Sequence, residues 1–350
     1  MATNRLNLVY AIKDGAGISI EDVDSGSKCG CVCPACGEPL VAKKGTKVMH
    51  HFAHHSGSTC EYGYETSLHL MAKDILSRTP KITIPAVYVE FPDSDRSPQL
   101  YRAAQEVAID HVVLEARYDN SIPDVALYVG SKVLFVEIYV THAIDSSKLE
   151  RLKRAGVSTI EINLSKKDRM ITEQELRDIL LKVSDEKTWK YNVIADKIAT
   201  KIYALSELKK LDDRDDGIYV NNCPVKSWPF GKNINADFVN DCRECTFCYK
   251  YFFTHEEEGD LIRALLCAGK ERIAEIEDVN IPTEKRIQKR NAEIEAWKNK
   301  CIDKRICPLC GARLINRCSR YGCFLGCKNY PRCTFMAYRD AETGQRKMKV

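Results

Sequence analysis

The cysteines constrain this chain more than any other feature: there are 17, an odd number, mostly gathered in three clusters and often two residues apart. In a reducing compartment such clusters bind metal more often than they form disulfides. Two cysteines separated by two residues supply half of a zinc tetrahedron from a single turn. At 350 residues the chain is too long for one ordinary core, which implies two or three domains. The first residues, Met-Ala-Thr-Asn-Arg-Leu-Asn-Leu, form no apolar signal region, and no stretch is long and apolar enough to span a bilayer. The expected setting is therefore cytoplasmic, with no membrane partner and with Zn²⁺ at two to three structural sites.

Charge is unevenly placed. From Cys301 to the end there are eleven Lys/Arg against three Asp/Glu, so this part carries +8 while the whole chain carries only +4. A basic end on a near-neutral body is the signature of an appendage that meets a polyanion, although a solvated surface would show the same balance.

The N-terminal cluster is Cys33-Pro-Ala-Cys36-Gly followed by the run "HHFAHHSGSTC". Cys33, Cys36, one histidine and Cys60 would close a site, with His51 and His54 the candidates for the histidine and His54 the one taken as the ligand. His50 and His55 read as solvated, and Cys29 and Cys31 as spare. The middle cluster, Cys223, Cys242, Cys245 and Cys248, supplies four more sulfurs, while Cys267 reads as a core residue on a helix. The last cluster is Cys307, Cys310, Cys327 and Cys333, with Cys318 and Cys323 between the pairs as an alternative pairing.

The last cluster carries more than ligands. "CPLCGARLINRCSRYGCFLGCKNYPRC" resembles the C-terminal zinc ribbon of type IA DNA topoisomerases, a CPxCG motif followed by Gly-x-Phe-x-Gly-Cys and Tyr-Pro-x-Cys. The resemblance covers about thirty residues. It implies binding of single-stranded DNA through aromatic rings that stack on bases and cations that meet phosphates. Tyr321, Phe324, Tyr330 and Phe335 are the aromatic candidates, with Arg320, Lys328, Arg332 and Arg339 around them. Phe324 and Phe335 read equally well as the ribbon's own core.

Between the first two clusters lies an α/β body. "YETSLHLMAKDILSR" predicts an amphipathic helix with Leu68, Met71, Ala72, Ile75 and Leu76 on one face, and Glu65, His69 and Lys73 sharing the opposite one. Strands follow, then a hairpin of Val125 to Val129 and Val133 to Val140, a short helix with Ser146 as candidate cap, and a further strand. The stretch to Asp216 and residues 255 to 300 read as charged helices. Asp124 opens one hairpin strand and Glu137 lies near the end of the other, with Tyr139 on the same face. Glu137 sits inside the apolar run "KVLFVEIYV", where an unpaired carboxylate is costly, and this tilts the pair toward chemistry. Two such carboxylates can hold a hard cation such as Mg²⁺ or Mn²⁺.

The order of these features resembles the competence protein CoiA-like family of nucleases: CPxC, His-Phe-Ala-His, a helix carrying Glu, His and Lys at Glu65, His69 and Lys73, then Asp124 and Glu137-x-Tyr139 in the PD-(D/E)xK arrangement. The resemblance spans about residues 1 to 165. It implies an α/β restriction-endonuclease-like core, αβββαβ, flanked by small zinc-binding modules. Asp124 and Glu137 would hold the catalytic metal, with Glu65 or His69 completing or orienting the site. Tyr139 stands where such enzymes have Lys, so Lys73 or Lys148 would have to supply the positive charge. The organisation expected is a zinc-binding β module (1–62), a nuclease core (63–185), a helical segment with a four-cysteine cluster (186–252), a charged helical linker (253–300) and a zinc ribbon (301–350). The function expected is a metal-dependent DNA nuclease acting on single-stranded or branched DNA. The alternative is a non-catalytic DNA-binding protein with a degenerate core.

Overall fold

A computed structural model describes residues 8–349 except 59, 61, 119–120, 142, 168–170, 184, 226–234, 256–260, 321 and 341. At 64, 253–255 and 261–262 it describes the backbone alone. The chain divides into two compact units. The first comprises residues 1–88 and 100–197, the second 89–99 and 198–350. The short stretch from Val89 to Gln99 thus belongs to the second unit, although it lies within the span read as the core.

The first unit begins with two small antiparallel hairpins, β1 (Tyr10–Lys13) with β2 (Ala16–Ser19), and β3 (Leu40–Lys43) with β4 (His51–His54). Helix α1 (Gly63–Ser77) follows, and its five predicted apolar residues, Leu68, Met71, Ala72, Ile75 and Leu76, are all buried. Each of the four larger ones contributes roughly 1.5–3 kcal/mol on leaving water. Strand β5 (Lys81–Ile84) pairs with β6 (Gln105–Ala108). The main sheet is built from β7 (His111–Leu114), β8 (Val125–Val129), β9 (Lys132–Tyr139), β10 (Ser158–Asn163) and β11 (Lys187–Tyr191), in the spatial order 11-10-9-8-7. Strands β7, β8 and β9 run antiparallel, β10 lies parallel to β9, and β11 is antiparallel to β10.

The parallel pair needs a crossover, and α2 (Ser146–Ala155) supplies it. Its cap is Asp145, whose carboxylate accepts from the Lys148 amide, and not Ser146 as the sequence suggested. Asp145 wins because a carboxylate at a helix N-terminus both satisfies a free amide and meets the positive end of the dipole. Gly156 ends α2 with a φ of 65°, a conformation costly for residues with a Cβ. Because strand residues alternate, Val125, Leu127, Leu134, Val136 and Ile138 bury one sheet face in the core that contains α1 and α3 (Glu173–Leu181). Ala126 and Phe135 pack on the other face with Leu152 of α2. Helix α4 (Val193–Leu205) follows β11.

The second unit departs from the sequence reading. The charged segment expected to be helical includes β12 (Glu207–Arg214), which pairs with β13 (Gly217–Val220) on one side and β16 (Leu261–Cys267) on the other. With β14 (Ala236–Asp237) and β15 (Cys248–His255) they form a sheet of order 14-13-12-16-15. Partners distant in sequence override the helix propensity of the charges. Cys267 therefore lies on a strand. Helix α5 (Thr283–Asp303) begins after Pro282, and the ribbon consists of β17 (Leu314–Ser319), β18 (Gly322–Cys327), β19 (Met336–Arg339) and β20 (Arg346–Lys349) in sequential order. Among the described residues no helix is long and apolar enough to cross a membrane.

Candidate active site and zinc centres

Hairpin geometry places Asp124 just before β8 and Glu137 on β9, where Val125 stands opposite Val136. Asp124 is tightly held. One carboxylate oxygen, Oδ2, accepts from the Ile138 amide at 2.9 Å and lies 3.0 Å from His69 Nε2; the other, Oδ1, lies 3.2 Å from Lys73 Nζ. Burial works against its ionisation, but His69, the Ile138 amide and the Lys73 charge outweigh it and hold the carboxyl below the usual range. The i, i+4 spacing of His69 and Lys73 on α1 is what lets both reach the same carboxylate.

Glu137 is only 4 % exposed. Its Oε2 lies 2.6 Å from Lys148 Nζ, while Oε1 is buried without a hydrogen-bond partner. Burial pushes the carboxyl up to about 7, with Lys148 opposing and the neighbouring Asp124 adding to the rise. Both lysines left open by the sequence therefore reach a carboxylate, Lys73 at Asp124 and Lys148 at Glu137. Lys73 also reaches Glu115 Oε1, at 2.8 Å. Glu65 is placed differently: its Oε1 accepts from the Thr141 hydroxyl, and no described contact joins it to Asp124 or Glu137. Tyr139 is half-buried at the end of β9, and its carbonyl accepts from the Leu164 amide.

Sequence reasoning missed Glu161. It is buried beside Glu137 on the parallel strand β10, in register with it. Its oxygens lie 2.7 Å from Lys190 Nζ and accept from the Ile144 amide at 3.0 Å. The cue was present, a lone carboxylate in the apolar run "STIEIN", the same signal that singled out Glu137.

Oxygen-only donors, two of them adjacent carboxylates and one with an unpartnered buried oxygen, fit a hard divalent cation. The cysteine sites fit zinc. Four sulfurs 2.3 Å from a tetrahedral ion stand about 3.8 Å apart. In the ribbon Cys307 and Cys333 sulfurs are 3.8 Å apart and those of Cys310 and Cys327 3.4 Å. Cys36 Sγ lies 3.3 Å from His54 Nε2, and these two with Cys33 and Cys60 make the second set. Within each set of four, all ligand atoms lie within 4.8 Å of one another. His51 instead turns its Nδ1 to the Met49 carbonyl, and His50 pairs with Glu21. Cys29 and Cys31 are buried outside the set, the Cys29 thiol donating to the Leu40 carbonyl. The sulfurs of Cys223, Cys242, Cys245 and Cys248 share one core but are not gathered as closely.

In the ribbon, Cys318 and Cys323 are joined to each other by a disulfide across β17 and β18, and so stand outside the ligand set. Arg320, Lys328 and Arg332 are exposed, and Tyr330 is 60 % exposed with the Arg317 guanidinium 5.3 Å from its ring centre. Arg339 is exposed and donates to the Gly344 carbonyl. Phe324 is half-buried, and Phe335 is buried in the ribbon core with Ile302 and Leu314, which removes it from the stacking candidates. Tyr321 lies outside the described residues.

Two segments match known families. Residues 18–63 match the Competence protein CoiA, N-terminal domain, and residues 304–340 match the Topoisomerase DNA binding C4 zinc finger. The chain therefore carries both modules. DNA topoisomerase 1 of Methanocaldococcus jannaschii is 29 % identical over 228 residues, 55 % of this chain and 27 % of the relative. DNA topoisomerase 1 of Helicobacter pylori (strain 26695) is 39 % identical over 56 residues, 14 % of this chain and 8 % of the relative. DNA topoisomerase 1 of Methanothermobacter thermautotrophicus is 45 % identical over 52 residues, 15 % of this chain and 6 % of the relative. The chain thus spans about a quarter or less of the length of these curated relatives. No solved structure matches the chain.

Proposed function

We propose that this protein processes DNA, with a ribbon that holds single-stranded or branched DNA and a core that hydrolyses phosphodiester bonds. The observation that carries the nuclease reading is the pairing of Asp124 with Glu137, whose buried Oε1 has no partner and whose other oxygen meets a lysine. The element order α1, antiparallel β7-β8-β9, α2 and parallel β10 supports a restriction-endonuclease-like core. Asp124 and Glu137 would hold Mg²⁺ or Mn²⁺, which supplies a polarised phosphodiester and an activated water.

The chain's own residues supply the rest. His69 and Lys73 keep Asp124 ionised and fix its orientation. Lys148 brings to Glu137 the positive charge that Tyr139 cannot provide at neutral pH, and a lysine there can meet the charge that develops on the phosphate. In the ribbon, Tyr330 offers an exposed ring for stacking, with Phe324 partly covered, and Arg320, Lys328 and Arg332 offer charge to the backbone.

One feature favours the second reading, a non-catalytic DNA-binding protein: both Asp124 oxygens are already engaged by α1. Cleavage of labelled single-stranded, duplex and forked DNA with Mg²⁺ or Mn²⁺ separates the two. Cutting that disappears in Asp124→Ala and in Glu137→Ala is the expected result. Tight, salt-sensitive binding without cutting by the unaltered protein would favour the second reading.

A further inference from the structure

Five sulfurs share one small core in the second unit: Cys223, Cys242, Cys245, Cys248 and Cys267, with Cys245 partly buried and the others buried. Pairing of β15 with β16 sets Cys248 directly opposite Cys267, a residue that the sequence did not associate with this cluster.

The C-terminal ribbon shows how a zinc thiolate is prepared in this chain. Cys307 accepts from the amides of Leu309 and Cys310, Cys310 from that of Ala312, and Cys327 from that of Asn329 at 3.4 Å. Amides aimed at a sulfur stabilise it as the thiolate, the form that binds metal. The same pattern recurs in the second unit. The Cys267 sulfur accepts from the Gly269 amide at 3.4 Å, and the Cys248 amide donates to the Cys245 carbonyl at 2.9 Å in the turn between them. Cys267 thus repeats Cys327, while Cys245 and Cys248 have the spacing of Cys307 and Cys310.

Packing at Gly269 brings the loop that follows Cys223 beside Cys267. A Cβ there would lie 3.0 Å from the Pro224 ring and 3.2 Å from Cys267 Sγ, so the loop after Cys223 is pressed against the turn that carries Cys267. The Arg272 guanidinium donates to the Pro224 carbonyl at 3.0 Å and holds that loop in place.

Charge balance points the same way. Four thiolates around Zn²⁺ carry a net −2. The guanidinium of Arg96 donates to the carbonyls of Thr246 and Ala274 and lies 4.2 Å from the Tyr249 ring centre, and among the described residues no carboxylate pairs with it. Its charge favours the thiolate forms of Cys245 and Cys248. A half-buried cation without a carboxylate partner is costly, and a tetrathiolate beside Arg96 would supply the counter-charge.

We propose that Cys223, Cys245, Cys248 and Cys267 bind a third structural zinc ion, and that Cys242 stays in the core outside the ligand set. Zn²⁺ would displace one proton from each of the four thiols as four Zn–S bonds form, drawing the sulfurs together as they already are in the other two sites.

Metal analysis of the purified full chain tests this, with Cys267→Ser and Cys242→Ser alongside. Three zinc ions per chain are expected in the unaltered protein and in Cys242→Ser, and two in Cys267→Ser. Two ions in the unaltered protein, loss of one in Cys242→Ser, or three retained in Cys267→Ser would each overturn the assignment. Should Cys267→Ser fail to fold, the counts for the unaltered protein and Cys242→Ser still decide. These counts are independent of whether the core cuts DNA.

Discussion

Lys148 Nζ lies 2.6 Å from Glu137 Oε2, so the first turn of α2 delivers a cation to a buried carboxylate of the candidate site. The helix is registered there by its cap, since the Lys148 amide donates to Asp145 Oδ1 at 2.7 Å. Backbone and side chain of one residue thus tie the crossover helix to the strand that carries Glu137.

If this lysine stabilises charge during hydrolysis, Lys148→Ala should slow single-turnover cleavage by about 10²–10³-fold, the loss typical of removing one such donor. Affinity for single-stranded DNA should stay within about twofold, because the ribbon is untouched. Full cutting by Lys148→Ala would remove Lys148 from the mechanism.

Lys73 has a structural share that Lys148 lacks. It is 5 % exposed and meets both Asp124 and Glu115, so its loss leaves a largely buried carboxylate with one cation fewer. Lys73→Met should lower unfolding free energy by about 1.5–3 kcal/mol, the range for a hydrogen bond to a charged group. Urea denaturation measures it. A midpoint equal to that of the parent protein would show that Asp124 does not depend on Lys73.

How much of this was legible in the sequence depended on how local each signal was. The face of α1 could be read because it repeats with helical period, and Glu137 because it interrupts an apolar strand. Glu161 carried the same interruption, but its meaning required knowing that β10 lies parallel to β9 and in register with it. The choice between Lys73 and Lys148 depended on the path of α2, and both turned out to be placed at a carboxylate. The charged strand β12 was misread because its partners, β13 and β16, include residues more than fifty positions away. Cys267 was rightly read as a core residue, but its place opposite Cys248 depends on strand pairing between distant segments.

Lys187 gives a test of folding that is separate from function. It is 4 % exposed, and its Nζ donates to the carbonyls of Thr83 and Lys182. Burial lowers its pKa to about 8 from the ordinary 10.5. Below pH 8 both folded and unfolded chains hold the proton, and the cost of burying the charge is fully present. As pH rises toward 10.5 the folded chain releases its proton first, so this residue's contribution to stability rises and then levels off. The difference in unfolding free energy between the parent and Lys187→Met should therefore move in the parent's favour between pH 8 and 10.5. At 1.36 kcal/mol per pKa unit, the change is at most about 3 kcal/mol. A difference that stays flat over that range would mean that Lys187 titrates normally.

The ribbon prediction rests on exposure and charge together. Arg320 and Arg332 are exposed on a segment of net charge +8, and Tyr330 presents a ring that is 60 % open to solvent. Phosphate contacts release counterions, so each one lost flattens the dependence of affinity on salt by about 0.7 in log–log slope for a single strand. Arg320→Ala combined with Arg332→Ala should therefore weaken single-strand binding and reduce the slope by about 1.4. Tyr330→Ala should cost about 1–3 kcal/mol of binding through lost stacking and leave the slope unchanged. Fluorescence anisotropy with a labelled oligonucleotide, repeated from low to moderate salt, separates the two effects. Zinc content measured on the same samples guards against loss of the ribbon fold, because none of the three residues is a ligand. Unchanged affinity and slope in the double arginine variant, with zinc retained, would place the DNA contacts elsewhere on the chain.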